Sequence, residues 1–74
     1  MKKIKFDYSL LKGLIVEKFG TSAKFAEAMG WAPNLVSYRL RNGTPWRDDE
    51  IYAACGLLGI SQQDIPSYFF VPKF

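Results

Sequence analysis

Apolar residues recur along the chain with the period of α-helices. Leu11, Ile15 and Phe19 are spaced four residues apart, so they share one face of a first helix that Asp7 is suited to cap. Gly20 is suited to the left-handed position that commonly ends a helix. The pattern therefore predicts a first helix between Asp7 and Gly20.

Two shorter helices are predicted next. The second helix, with Phe25, Ala26 and Met29 on its apolar side, is expected to end at Gly30. Pro33 suits the first turn of the third helix, because its missing N–H would be unpaired there in any case. That helix is expected to run to about position 42, where an Asn-Gly pair is a turn signal.

The last two predicted helices follow a run of acidic residues at positions 48–50, whose charge favours the positive end of a helix dipole. The fourth helix has one apolar face, formed by Ile51, Ala54, Cys55 and Leu58. Ser61 and Asp64 have the spacing of a capping box for a short fifth helix. Pro66 is expected to limit this helix, leaving an aromatic tail at 66–74.

Helices two and three carry the spacing of a helix-turn-helix motif over about residues 21–42. This motif needs a small residue where the helices nearly touch, a flexible turn residue and a buried branched residue on the second helix. Ala26, Gly30 and Val36 meet these needs, and they shape the motif without contacting a ligand. The predicted fold is therefore all-α: a compact five-helix domain with a helix-turn-helix at helices 2 and 3.

Several stretches resemble the Cro and repressor (lambda repressor-like) family of helix-turn-helix regulators, in particular short prophage Cro-like proteins. They are FDYSLLKGLIVEKFGTSAKFAEAMG, LVSYRLRNGTPW, DDEIYAACGLLGIS and YFF. The resemblance implies a five-helix bundle that binds operator DNA, usually as a dimer, and so represses or switches promoters. Two positions depart from the family's pattern: Ser22 and Pro33 stand where glutamines are common, so a bidentate amide contact to adenine from position 33 is excluded.

The outward face of the third helix would meet the major groove if Val36 and Leu40 face the core. Its candidate base-contacting residues are Pro33, Asn34, Ser37, Tyr38 and Arg41. The candidates for phosphate contacts are Ser22, Lys24, Arg39, Asn42 and Thr44. Arg39 has a second interpretation, pairing with an acid on the surface. The alternative for the whole face is an ordinary solvated helix surface.

The aromatic tail is too apolar to remain in solvent. Its residues Tyr68, Phe69, Phe70 and Val71 either close the monomer core or form a dimer contact, for which a short strand is one form. We hypothesise that the tail drives a homodimer whose two heads bind half-sites about 34 Å apart. Trp31 and Trp46 are expected to be packing residues, and Cys55 a buried inert thiol.

Composition limits the other functions. The chain has 74 residues, 49% of them hydrophobic and 23% charged, which suits a single packed domain over 1–74. One cysteine and no histidine exclude a disulfide or a Cys/His metal site, and we expect no cofactor, no small-molecule substrate and no enzymatic activity. No apolar stretch approaches the roughly 18 residues of a membrane helix, so a cytoplasmic location is expected.

Charge leaves two functions open. The formal net charge is +3, and the positive residues from Lys24 to Arg47 surround the third helix. An N-terminal cluster of Lys2, Lys3 and Lys5 is either a DNA-grasping arm or a solubilising start. The sequence thus favours a DNA-binding transcription regulator whose partner is double-stranded operator DNA. The alternative is a protein-interaction module, such as an antirepressor, on the same scaffold, for which the aromatic tail is suited.

Overall fold

The computed structural model describes residues 5–72, so Lys2, Lys3 and the last two residues of the predicted tail lie outside the described part. Its elements are α1 (Ser9–Phe19), α2 (Ser22–Met29), α3 (Leu35–Leu40), α4 (Asp48–Leu58), a 3-10 turn (Gln62–Asp64) and α5 (Ile65–Phe69). The radius of gyration is 11.6 Å, close to the value of about 11 Å expected for a compact chain of this length. The prediction of a compact five-helix, all-α fold is confirmed for these residues.

The core unites the apolar faces of the five helices. Its largest fully buried side chains are Leu11, Ile15, Phe25, Val36, Leu58 and Phe69. The apolar face predicted for α4 is buried in full, whereas Phe19 and Met29 are only partly buried at the edge of the core. Helical periodicity therefore identified most of the core, because each helix must turn its apolar face towards the others.

Local chemistry sets the bounds of α2. The Thr21 side chain accepts a hydrogen bond from the Lys24 backbone N–H at 3.1 Å, which caps the first turn. Gly30 adopts a left-handed conformation with φ of 78° and ends the helix. The chain then turns at once, and the Trp31 N–H donates to the Ala26 carbonyl at 2.8 Å. This tight turn brings α3 directly against α2.

The third helix is shorter than predicted at both ends. It covers Leu35–Leu40, whereas Pro33 and Asn34 form a preceding turn in which the Leu35 N–H donates to the Ala32 carbonyl at 3.0 Å. The predicted end near Asn42 is also wrong, because this residue has a left-handed φ of 65° that a right-handed helix cannot include.

The predicted role of Pro66 is wrong as well. This proline lies in the first turn of α5 and does not limit the helix, because a first-turn residue needs no N–H donor. As a result Tyr68 and Phe69 are helical, and no strand runs from Tyr68 to Val71. The chain pairs as an extended segment only afterwards, through an antiparallel bridge between Phe6 and Pro72.

Candidate functional site

The short helix α3 presents one side to the core and the other to solvent. Val36 is fully buried and Leu40 is partly buried, as the sequence predicted. Asn34, Tyr38 and Arg41 are exposed. The two remaining candidates for base contact differ in position: Ser37 is half-buried, and Pro33 is exposed in the turn before the helix.

A groove lined by both polar and apolar groups lies along one edge of this exposed side, and we call it the outer groove. It has a volume of about 170 Å³ and is lined by Lys12, Ser22, Ser37, Leu40 and Arg41. The hydroxyl oxygens of Ser22 and Ser37 lie 3.1 Å apart and share a hydrogen bond, which ties the start of α2 to the middle of α3. Three helices thus contribute polar side chains to one small concave surface.

The two cations of the outer groove have no acidic partner in the part of the chain that the structure describes. Lys12 and Arg41 are exposed, and neither forms an ion pair within residues 5–72. Lys24, predicted to contact phosphates, lies in a separate shallow depression that Glu27 and Ala28 also line. The groove is therefore a local concentration of positive charge, and Lys24 stands apart from it next to an acid.

Tyr38 forms an exposed but supported aromatic surface beside the groove. Its side chain is 45% exposed. The ring lies directly against Gly43, where any Cβ would clash with three of its carbon atoms, and the Gly43 N–H donates to the Tyr38 carbonyl at 2.9 Å. Gly43 therefore allows the ring to lie flat on the following turn, which restrains its orientation.

Arg39 does not belong to the exposed side. Its guanidinium donates to Glu50 at 2.9 Å and to the Pro45 carbonyl at 2.8 Å, and it lies 4.9 Å from the centre of the Trp31 ring. The predicted contact with a DNA phosphate does not fit this position, since the residue is only 9% exposed. The second interpretation, pairing with an acid, is the one observed, but the pair lies in the interior and not on the surface.

The remaining backbone-contact candidates have different surroundings. The Asn42 amide bonds both backbone groups of Phe6: its oxygen accepts from the Phe6 N–H at 2.9 Å, and its nitrogen donates to the Phe6 carbonyl at 3.0 Å. Thr44 is exposed. Asn42 is thus occupied in fixing the N-terminal segment beside the end of α3, so its amide is not free for a ligand.

The aromatic tail closes the monomer core in part. Phe69 is 1% exposed and packs edge-on against Trp46, with ring centres 5.3 Å apart. The proposed role of Phe69 as a dimer contact does not fit, because its ring is already buried within one chain. Tyr68 is half-buried against the core, and Phe70 and Val71 are exposed.

One residue of the outer groove, Lys12, was not among the predicted site residues. It is separated from Ser37 by 25 positions and reaches the groove only because α1 packs beside α2, which in turn packs against α3. A helical projection of α1 alone places Lys12 on a solvated face. No signal within the sequence could have identified it without the tertiary arrangement.

The described part of the chain offers neither a metal site nor a membrane-spanning helix. No group of three or more histidine, cysteine, aspartate or glutamate residues within positions 5–72 is arranged to hold a metal ion. None of the helices found there has the length and apolar character to cross a membrane.

Comparison with known proteins establishes the family. Residues 4–72 match the family described as "Protein of unknown function (DUF739)", so the chain belongs to this family. It is also similar to the modulator of repression (MOR) of the temperate bacteriophage TP901-1 from Lactococcus lactis. The two share 49% sequence identity over 88% of each chain, with a TM-score of 0.78. Among curated proteins no significant match is found.

These findings overturn the resemblance to Cro and the lambda repressor-like family. The family that matches is DUF739, and a solved structure that matches is a modulator of repression. Ala26, Gly30 and Val36 misled the sequence comparison because they constrain how two helices pack and say nothing about what the exposed side binds. The likeness that stands is to a phage regulatory protein.

Proposed function

We propose that this chain regulates phage repression by binding a protein, the repressor, and not by binding operator DNA itself. The observation that carries the proposal is the 49% identity to the phage modulator of repression over 88% of the chain. At this identity a shared mode of action is favoured over a shared fold alone. The interaction module, the alternative drawn from the sequence, therefore becomes the main interpretation.

The exposed side of α3 has the composition of a protein interface. Tyr38 and Arg41 lie three residues apart, so they are neighbours on the helix surface. Tyrosine and arginine are the residues most enriched, with tryptophan, at the energetic centres of protein interfaces. In this proposal α2, the Gly30 turn and α3 form a helix-turn-helix scaffold whose outer side contacts the repressor.

Charge supports a protein partner over DNA. Much of the affinity of a DNA-binding protein comes from the phosphates that its lysines and arginines neutralise. Burial of Arg39 leaves Lys24 and Arg41 as the exposed cations of α2 and of the segment that ends α3. Even with Lys12 from α1, this surface offers few phosphate contacts, whereas a protein interface needs only a few well-placed side chains.

The test is a binding measurement between the purified chain and the repressor encoded by the same phage genome. Isothermal titration calorimetry should detect a complex, and a gel-shift assay should show that the chain weakens the repressor's hold on its operator. Tyr38→Ala should lower the affinity about 30-fold, the loss expected for an interface hot spot. Tyr52→Ala is the matched control, since Tyr52 is 73% exposed on α4 and lies away from α3.

Two results would contradict the proposal. One is the absence of any complex with the repressor from a folded sample. The other is selective binding of the isolated chain to one sequence from a random DNA pool, with strong salt dependence, since this is the behaviour of an operator-binding protein.

A further inference from the structure

We propose that the outer groove receives an acidic side chain, an aspartate or glutamate, of the protein partner. The inference rests on the proposed function and adds to it the chemistry of one contact. It concerns the groove itself and not the exposed tyrosine beside it, so the two claims can be tested separately.

The donors of the groove converge from three elements. The Lys12 ammonium comes from α1, the Ser22 hydroxyl from the first residue of α2, and the Ser37 hydroxyl and the Arg41 guanidinium from α3 and its C-terminal end. Ser22 also lies at the positive end of the α2 dipole, where a negative charge is stabilised. The ammonium, the guanidinium and whichever serine hydroxyl does not donate to the other can donate hydrogen bonds, which a carboxylate can only accept.

Within residues 5–72 the positive charge of the groove has no acidic counterpart. No acidic residue lines it in the part of the chain that the structure describes. Other arginines differ in this respect: Arg39 pairs with Glu50 at 2.9 Å, and Arg47 lies 3.7 Å from Asp49. A partner with the opposite charge would therefore gain both the Coulomb attraction and the charge-assisted hydrogen bonds.

Size restricts the occupant to something small. The groove volume of about 170 Å³ is below the roughly 300–1,000 Å³ typical of small-molecule and cofactor sites. A single carboxylate side chain suits this space, and Leu40 provides an apolar wall for its methylene groups. A DNA phosphate is also an anion, but it belongs to a regular series of charges, and the next cation on this side, Lys24, shares its own depression with Glu27.

The test compares three variants of the chain in complex with the repressor. Lys12→Gln and Arg41→Gln should each lower the affinity about tenfold, and the loss should shrink as salt is added. Lys18→Gln, which removes the same charge from the last turn of α1 outside the groove, should bind within about twofold of the wild type. Circular dichroism melts should coincide for all three, because these side chains are exposed.

A double-mutant cycle then identifies the acid. The aspartates and glutamates of the repressor are changed one at a time to asparagine or glutamine. One such change should lower the affinity for the wild-type chain but cause little further loss for Arg41→Gln, because the contact is already absent.

The outcomes separate the inference from the proposed function. If Lys12→Gln and Arg41→Gln bind the repressor as well as Lys18→Gln does, while Tyr38→Ala still binds poorly, the inference is overturned and the proposed function stands. If the wild-type chain instead binds a random DNA duplex and the groove variants flatten its salt dependence, the groove takes a phosphate, and both claims are overturned. If no repressor binds at all, the proposed function fails and the inference fails with it.

Discussion

Two arginines, Arg39 in α3 and Arg41 directly after it, show how differently the two sides of this helix are used. Arg39 belongs to an inner cluster that runs from Glu50 through Arg39, Trp31 and Trp46 to Phe69. Each residue contacts the next, first by an ion pair, then by a cation–π contact and then by two aromatic contacts. Arg41 lines the outer groove and forms no ion pair within residues 5–72. Two positions along a helix correspond to a rotation of about 200°, so the two side chains point to opposite sides.

The inner cluster stabilises the fold, whereas the outer groove is available for binding. A buried arginine whose charge is paired holds α3 against the start of α4, whereas an unpaired exposed arginine adds little to the fold and remains available to a partner. Substitutions in the inner cluster should therefore unfold the protein, and those in the outer groove should affect only binding.

The largest effect is expected at Phe69, where the inner cluster meets α5. Phe69→Ala should lower the free energy of unfolding by about 3–5 kcal/mol, since it leaves a cavity beside Trp46. Phe70→Ala should cost about 1 kcal/mol, because that ring is 48% exposed although it meets Phe6 edge-on. Urea unfolding followed by circular dichroism measures both. Equal losses would show that the tail does not close the core as described.

Arg39 should give the next largest effect. Arg39→Met should cost about 3 kcal/mol, because it leaves the Glu50 carboxylate without its partner in a site that is only 15% exposed. Arg41→Met should change stability by no more than about 0.5 kcal/mol. The double variant with Glu50→Gln should regain part of the loss. A loss of stability for Arg39→Met as small as that for Arg41→Met would show that the ion pair with Glu50 does not stabilise the fold.

Asn42 joins the end of α3 to the N-terminal segment through the backbone of Phe6. Asn42→Ala should cost about 2 kcal/mol, because it loses both bonds to the Phe6 backbone and places a Cβ residue at a φ of 65° without local support. Asn42→Gly should cost about 1 kcal/mol, since glycine tolerates this conformation. Chemical denaturation measures the stability of both variants. The loss for Asn42→Gly reports the missing hydrogen bonds, and the additional loss for Asn42→Ala reports the backbone strain. A larger loss for glycine than for alanine would contradict this account.

The smallest effect concerns the reactivity of a thiol and is measured as a reaction rate, not as a free energy of unfolding. Burial raises the pKa of the Cys55 thiol, so less thiolate is present at pH 8 than in an exposed cysteine. Ellman's reagent should therefore react slowly with the wild-type protein and faster as the pH rises. Ser37→Cys in a Cys55→Ala background should react about tenfold faster, because that thiol lies in the open groove. Similar rates would show that the core near Cys55 opens easily.

Much of the fold could be predicted because it depends on short-range patterns. The four-residue spacing of Leu11 and Ile15 and the apolar face of α4 predicted buried surfaces that the structure contains. Thr21 and Gly30 predicted the bounds of α2 through capping chemistry that acts within a few residues. The errors at Pro33 and Pro66 both concern where a proline lies relative to a helix. Pro33 was expected in the first turn of α3 and precedes the helix, whereas Pro66 was expected to limit the fifth helix and lies in the first turn of α5.

The candidate site was only half predictable. Ser37, Tyr38 and Arg41 were identified from the exposed side of one helix, which needs only the helical period. The number of exposed cations around that side bears on whether it contacts DNA or protein. The sequence analysis included Arg39 among these cations, but Arg39 is buried.

The sequence by itself determined the five helices, their apolar faces and the exposed side of α3, because these follow from propensities and spacings within about ten residues. Only the tertiary structure decided that Arg39 faces Glu50, that Phe69 completes the core and that Lys12 joins Ser22 and Arg41 in one groove. These contacts link residues far apart in the chain, and their geometry depends on how whole helices pack, which no local pattern encodes.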